Sequence, residues 1–443
     1  MTENGSITST ADLLAAMRAA LTSRDADRAE RIAEIVSVRD PGQEDAVGLL
    51  VARALSRGEH LRALQVARGG VRANPRSARL QFQLGLALLA AGQSSDALRA
   101  FSSARECDPE MLAAPLWQAE CEYALERDDE ALRSQLQALT LAERAGLLAR
   151  MDSFAAPIRQ RLQQAITTVQ RARKAAIEPA LSALRTRVGP DAIKRIDRAL
   201  APLYGEPAAH PTHPLQQPSL LFIPGLPDQA WFERAQFPFL AELEAGTSII
   251  REELLGVLAD DSGLLPYVDM PDTAPAAVMW GELNHSPAWS GYHLYRHGER
   301  VEAHCARCPR TVDLLESLPL MRIADHSPEI LFSVLKPHTH IPPHTGVING
   351  RLTVHLPLIV PPNCGALRAG DEQREWREGE CLIFDDSFVH EAWNDSDQTR
   401  VVLIMDAWNP HLREVERDAL SAAISELGKF HRRYGSEDLT RES

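Results

Sequence analysis

Residues 338–358 read HTHIPPHTGVINGRLTVHLPL, with histidines at positions 338, 340, 344 and 355. A prolyl turn separates the first histidines from RLTVHLPL, whose alternation has the period of a half-buried strand. Histidines beside such a strand suggest a metal site, because imidazole is the commonest protein metal ligand. Yet no Asp or Glu occurs between Glu329 and Asp371. The acid of an ordinary site of two histidines and one carboxylate is therefore missing from this stretch.

Working outward, EILFSVL (329–335), CLIFDD (381–386) and TRVVLIMDAW (399–408) combine β-branched residues with alternation or short apolar runs. RAGDEQ (368–373) and REGE (377–380) supply turns between them. Several short strands without intervening helices predict an antiparallel sandwich or jelly roll. His344 stands at the mouth of a turn, and His390 follows FDDSFV, forty-six residues later. Strand pairing in such a fold can bring the two together. The position two after His344, where an H-x-D/E motif would carry its acid, is Gly346. Arg400 follows ten residues after His390 and offers a guanidinium suited to bidentate bonding of a carboxylate.

The first half has a different chemistry. Up to about residue 200 it is rich in helix-forming Ala, Leu, Arg, Glu and Gln, while fourteen of fifteen histidines and six of seven tryptophans come later. It also repeats: Asn74-Pro75 returns as Asp108-Pro109, Gly58 as Gly92, and Ala63-Leu64 as Ala97-Leu98 and Ala131-Leu132, each thirty-four residues on. Over roughly residues 10–145 this period resembles tetratricopeptide repeats, with Gly85 and Ala97 permitting close helix contact. Such a stack predicts either a docking surface for a protein or peptide partner, or a packing or dimerisation scaffold.

Residues 150–203 continue helical. YGEPAAHPTHPLQQP (204–218) then carries prolines that no helix can pass, and reads as a linker with His210 and His213 solvated. The expected fold class is α+β multidomain. Helical repeats occupy 1–150, a helical extension and Pro-rich linker 151–217, and a jelly-roll domain with a C-terminal helix 218–443.

A formal charge of −14 over 443 residues argues against nucleic acid or an anionic membrane as partner. No run is long and apolar enough for a membrane span, and MTENGSITSTADLLAAM lacks a secretory pattern; a cytoplasmic location is expected. Six cysteines do not make a disulfide framework. The lone C-x-x-C of Cys305 and Cys308 is expected as reduced, partly buried thiols.

PHTG (343–346), RLTVHLPL, LIFDDSFVHEAWN (382–394) and RVVLIMDAWNP (400–410), in that order, resemble the aspartyl/asparaginyl β-hydroxylase family. LLFIPGLP (220–227) and YHLYRHGERVEAHCARCPRT (292–311) extend the resemblance over about residues 218–412. The resemblance implies a double-stranded β-helix that uses Fe(II), 2-oxoglutarate and O2. Iron would be held by His344 and His390, with Gly346 marking the absent carboxylate. The distal carboxylate of 2-oxoglutarate would lie on Arg400 and Ser333, its metal-side carboxylate on His355. Asp386 would be a nearby acceptor, and no catalytic side chain beyond the metal centre is implied.

Arg351, Thr353 and His340 would face substrate. Here the chain departs from the family, whose strand often reads R-L-R-x-H; the second arginine is Thr353. His338 is assigned to the loop, and His293, His297 and His304 to surface or loop positions. The implied activity is hydroxylation of an unactivated carbon, the β-carbon of Asp or Asn in a peptide or protein. The same chemistry on a free amino acid, lipid or natural-product intermediate is the alternative, and a non-catalytic repeat-based binding protein the third reading.

Overall fold

Helix starts in the first half keep the period of the sequence. Thr10–Thr22 (α1), Ala26–Arg39 (α2), Glu44–Ser56 (α3), His60–Ala73 (α4), Ala78–Ala90 (α5), Ser94–Cys107 (α6), Ala113–Ala124 (α7) and Asp128–Arg144 (α8) form four antiparallel pairs. Odd-numbered helices begin at residues 10, 44, 78 and 113, the last one residue out of step, and even-numbered ones at 26, 60, 94 and 128. Gly58 and Gly92 close the first helix of their pairs with φ of +74°, a left-handed conformation that only glycine adopts without cost. Ser77 caps α5 by accepting the Leu80 amide at 3.1 Å.

Small residues bring these helices together. Ala63, Ala67, Ala97, Ala100 and Ala104 are buried, and a Cβ built on Gly85 would overlap the Phe101 ring. Phe82 lies 5.3 Å from both Phe101 and Trp117, ring centre to ring centre. The apolar seam is thus a small-residue groove filled by one aromatic ladder.

The computed structural model describes residues 9–259, 263–271 and 277–435. The first eight residues of the stretch read for a secretory pattern lie outside that range. The chain divides into two compact units, the first reaching Val169 and including Tyr434 and Gly435, the second comprising Gln170–Arg433. The later turns of Ala156–Val188 (α9) belong to the second unit. There Ile177, Leu181 and Leu184 pack with Ile196 of Lys194–Leu200 (α10) and with Leu420, Ile424 and Leu427 of the long helix Glu414–Tyr434.

Among the described residues twelve strands make up the second unit's sheets. They are Trp231–Phe232 (β1), Leu265–Pro266 (β2), Trp289–Arg296 (β3), Glu299–Arg300 (β4), Ile330–Leu335 (β5) and Thr339–His344 (β6), then Arg351–Ile359 (β7), Leu367–Ala369 (β8), Glu372–Arg374 (β9), Leu382–Phe384 (β10), His390–Asn394 (β11) and Arg400–Trp408 (β12). An eight-stranded antiparallel sheet runs β1-β10-β7-β12-β5-β3-β2 with β4 beside β3, and a four-stranded one runs β6-β11-β8-β9. This is the two-sheet architecture expected of the C-terminal half.

Alternation decides which residues meet the site. Leu352, Val354 and Leu356 of β7 with Val401, Leu403 and Met405 of β12 face a core that includes Ile250, Leu254, Val312 and Leu315 from the covering helices. The opposite face carries Arg351, Thr353 and His355 on β7 and Arg400, Val402 and Ile404 on β12. Its apolar members Leu335 and Val402 pack with Ile341, Leu367 and Ala392 of the smaller sheet.

The Pro-rich stretch differs from the expected solvated linker. Its end is an edge strap: the Gln217 amide donates to Ser387 O at 2.7 Å, and the Val389 amide to Leu215 O at 2.7 Å. Prolines deny donors at 211, 214 and 218, but the intervening non-prolines still pair with the segment leading into β11. Among the described residues no helix is long and apolar enough to cross a membrane.

Gly85→Ala should overpack the repeat seam and lower stability by about 1–3 kcal/mol. A urea or thermal transition reporting on the helical unit checks this; an unchanged midpoint would show that Phe101 has room to move.

Candidate metal centre

β6 and β11 pair antiparallel with His390 opposite His344, and the register shifts between His390 and Ala392. The two imidazoles therefore stand side by side, ring centres 4.0 Å apart. Each ring is oriented by a carbonyl two residues earlier: His344 Nδ1 donates to Pro342 O at 2.8 Å, and His390 Nδ1 to Phe388 O at 2.9 Å. With the proton fixed on Nδ1, the lone pair lies on Nε2, the tautomer that a metal requires. Burial, aided by the Arg351 charge, pulls His390 down to about 4, so it is neutral and able to ligate at ordinary pH.

Gly346 has a physical reason to lack a side chain. A Cβ there would overlap the carboxylate of Asp386, and the Gly346 amide donates to Asp386 O at 2.6 Å. The carboxylate absent from β6's turn is thus replaced in space by one from the β10–β11 loop. Among the described residues no group of three or more His, Cys, Asp or Glu side chains is arranged to hold a metal, so the two histidines are the protein donors that the geometry offers.

On the facing sheet Arg400 is 1% exposed, and its Nε and Nη1 meet no hydrogen-bond partner among the described residues. Its guanidinium stacks on Trp376 at 4.5 Å, and burial pulls its pKa down to about 10. A buried cation without a counter-charge is costly; it is the signature of a site for an anion. Ser333 shares this face, since β5 and β12 pair Ser333 with Val402 and Leu335 with Arg400. Ser333 Oγ accepts from Trp289 Nε1 at 3.1 Å.

His355 is buried, and desolvation together with the charge of Arg400 keeps it neutral. Its Nδ1 accepts from Trp376 Nε1 at 3.4 Å, so its Nε2 carries the proton and can donate to a carboxylate, the opposite tautomer from the two candidate ligands. A histidine pair with His390 neutral, and opposite it a cation, a hydroxyl and an imidazole N–H, is a donor set chemically compatible with Fe(II) and 2-oxoglutarate.

The remaining expected residues divide. Arg351 Nη2 binds Asp386 Oδ2 at 2.5 Å, and Thr353 Oγ1 donates to the same oxygen at 3.3 Å. His340 is largely exposed and pairs with Glu391 at 2.7 Å, while exposed His338 pairs with Asp397 at 2.9 Å. His293 and His297 flank Glu329 at 3.6 and 3.0 Å. Cys305 and Cys308 are free, buried thiols, and burial pushes Cys308 up to about 12.

Sequence patterns gave no hint of three tryptophans. Trp376 joins Arg400 to His355, while Trp280 and Trp289 lie 5.0 and 6.4 Å from the His344 ring. Trp376 lies in the loop between β9 and β10, Trp280 ends a short helix and Trp289 opens β3, positions without a common spacing signature, and only the rarity of the residue in the first half pointed here.

A model of the aspartyl/asparaginyl beta-hydroxylase family matches residues 244–410. Human aspartyl/asparaginyl beta-hydroxylase is 35% identical over 209 residues, 46% of this chain and 26% of that protein. The ornithine lipid ester-linked acyl 2-hydroxylase of Rhizobium tropici is 36% identical over 181 residues, 40% of this chain and 60% of that one. The chain thus spans about a quarter of the human relative's length. Among solved structures, the crystal structure of MamA aligns with 31% of this chain and 81% of its own at 18% identity and a TM-score of 0.29.

Behind the metal side, Asp385 is fully buried and accepts from Gln216 Nε2 at 3.1 Å and the Ser387 amide at 2.9 Å. Burial, with the adjacent Asp386 charge, pushes it up to about 7 against the pull of Ser387 and Gln216. A carboxyl raised in the folded state binds its proton more tightly than the unfolded chain does, so its contribution to stability falls as pH rises from about 4 to 7. Asp385→Asn should therefore gain on the parent across that window. Urea midpoints of both proteins at several pH values check the sign; a pH-independent difference would refute it.

Proposed function

The C-terminal domain of this chain belongs to the aspartyl/asparaginyl β-hydroxylase family, and from that premise we propose that it is a hydroxylase dependent on Fe(II) and 2-oxoglutarate. The observation that carries this reading is Arg400, a buried guanidinium whose Nε and Nη1 meet no hydrogen-bond partner among the described residues, on the face opposite the His344–His390 pair. His344 and His390 would hold the metal through Nε2. Arg400, with Ser333, would receive the distal carboxylate of 2-oxoglutarate, and the His355 Nε2–H its metal-side carboxylate. Asp386, abutting Gly346, would accept hydrogen bonds at the position that has no protein ligand.

When bound, Fe(II) with 2-oxoglutarate and O2 supplies the oxidation that converts an unactivated C–H to C–OH, releasing succinate and CO2. The protein's part would be to orient both imidazoles through their Nδ1 bonds with His390 held neutral, balance the cosubstrate's charge, and exclude water with Trp289 and Trp376. The human relative's name points to an Asp or Asn side chain and the Rhizobium relative's to a lipid acyl chain. The helical repeats, with exposed Val38 and Leu61, are proposed to dock a protein partner.

Succinate formation from 2-oxoglutarate with added Fe(II) tests the reading. His344→Ala should abolish it. Arg400→Gln should raise the KM for 2-oxoglutarate roughly 10–100-fold, the worth of a hydrogen-bonded charge, with a smaller change in kcat. Turnover that survives His344→Ala would overturn the assignment.

A further inference from the structure

The two positions at which the family's strand carries arginines face Asp386 in this chain. Arg351 is 8% exposed by side chain, binds Asp386 Oδ2 at 2.5 Å, and reaches Asp406 Oδ1 at 3.8 Å. Asp406 is itself fixed, since its Oδ2 accepts from Ser327 Oγ at 2.5 Å and the Glu329 amide at 2.8 Å. Thr353 adds its hydroxyl to the same Asp386 oxygen. The guanidinium thus sits between two buried carboxylates. A substrate carboxylate brought to it would be a third anion for one cation, in a medium that screens poorly.

What flanks the metal side is apolar. The Trp280 ring lies 5.0 Å from His344, and Trp289 beside it is stacked by Tyr267 at 3.9 Å. Trp280, Trp289 and Tyr267 thus present aromatic faces, not charges, beside the His344 ring.

We infer that Arg351 and Thr353 are positioning residues that clamp Asp386 against Gly346, and that the substrate presents an uncharged aliphatic chain to the metal side, where Trp280 and Trp289 receive it. The substrate half of this inference rests on the hydroxylase reading; the clamp does not.

The clamp is tested by Co(II) binding to the metal-free full chain, followed by visible absorption, in the parent, Arg351→Ala, Asp386→Ala and the double variant. Each single change should weaken binding about tenfold or more, as loss of a residue supporting a metal site does. The double variant should be no weaker than Asp386→Ala, and Arg351→Lys should recover much of the loss. Parent-like affinity in Arg351→Ala, or losses that multiply, would refute the clamp. If Arg351→Ala is unfolded by circular dichroism, Arg351→Lys and Asp386→Asn complete the same cycle.

The substrate class is tested with a medium-chain lysophosphatidylcholine and an aspartate-containing peptide, each read by tryptophan fluorescence on the metal-free protein and by stimulation of succinate formation. The lysolipid should bind and stimulate, with Trp280→Ala raising its KM at least severalfold. Binding of the peptide to the metal-free protein with stimulation of succinate formation in the parent would overturn the inference, as would failure of the lysolipid to bind. Absence of succinate in every arm, including without substrate, would instead overturn the hydroxylase reading, and the Co(II) cycle would still judge the clamp.

Discussion

The candidate site depends on one register: His390 of β11 opposite His344 of β6. Because side chains alternate faces along a strand, a slip of one residue would turn one imidazole out of the site and uncouple the pair. The register is held from both ends. Ile341 and Ala392, partners across the same two strands, sit in the apolar layer with Leu335 and Val402, and carbonyls within the chain's own turns fix both rings. Packing sets which residues are opposite; backbone acceptors set which nitrogen faces inward.

Two arginines on the same face then take opposite electrostatic roles. Arg400 is buried against an aromatic face, and its Nε and Nη1 meet no partner among the described residues, so its desolvation is not offset by a carboxylate there. Arg351 is buried between Asp386 and Asp406, so its charge is already more than met within the protein. The difference follows from their neighbours, not from their residue type: one guanidinium lies against an aromatic ring, the other against two carboxylates. In a chain of formal charge −14, an uncompensated guanidinium is a local exception to the overall field.

Much of this was legible in the sequence where the signal is periodic or local. The thirty-four-residue spacing of Gly58 with Gly92 announced the helix pairs, and the alternation of RLTVHLPL and RVVLIMDAW announced the sheet. The histidine pair and Gly346 were found through motif order. Contacts between distant residues were not legible: Asp386 filling the space over Gly346, Arg351 turned to Asp386, and Trp376 bridging Arg400 to His355. The strap at Leu215–Gln217 was hidden because proline signals the end of a helix equally well before a linker or an edge segment.

The glycine at 346 is therefore half of a relocation. A carboxylate carried on residue 346 would be held by the same turn as His344 and would depend on little else. A carboxylate from residue 386 must be held from outside, and the holders are Arg351 and Thr353 of β7, the strand that also carries His355. The Asp386 carboxylate thus ties the turn after β6 to β7. With Thr353 in place of a second arginine, less positive charge remains on that strand, and what remains is directed inward. The missing side chain at residue 346 and the inward turn of Arg351 and Thr353 meet, in this chain, at one packing contact, the Asp386 carboxylate.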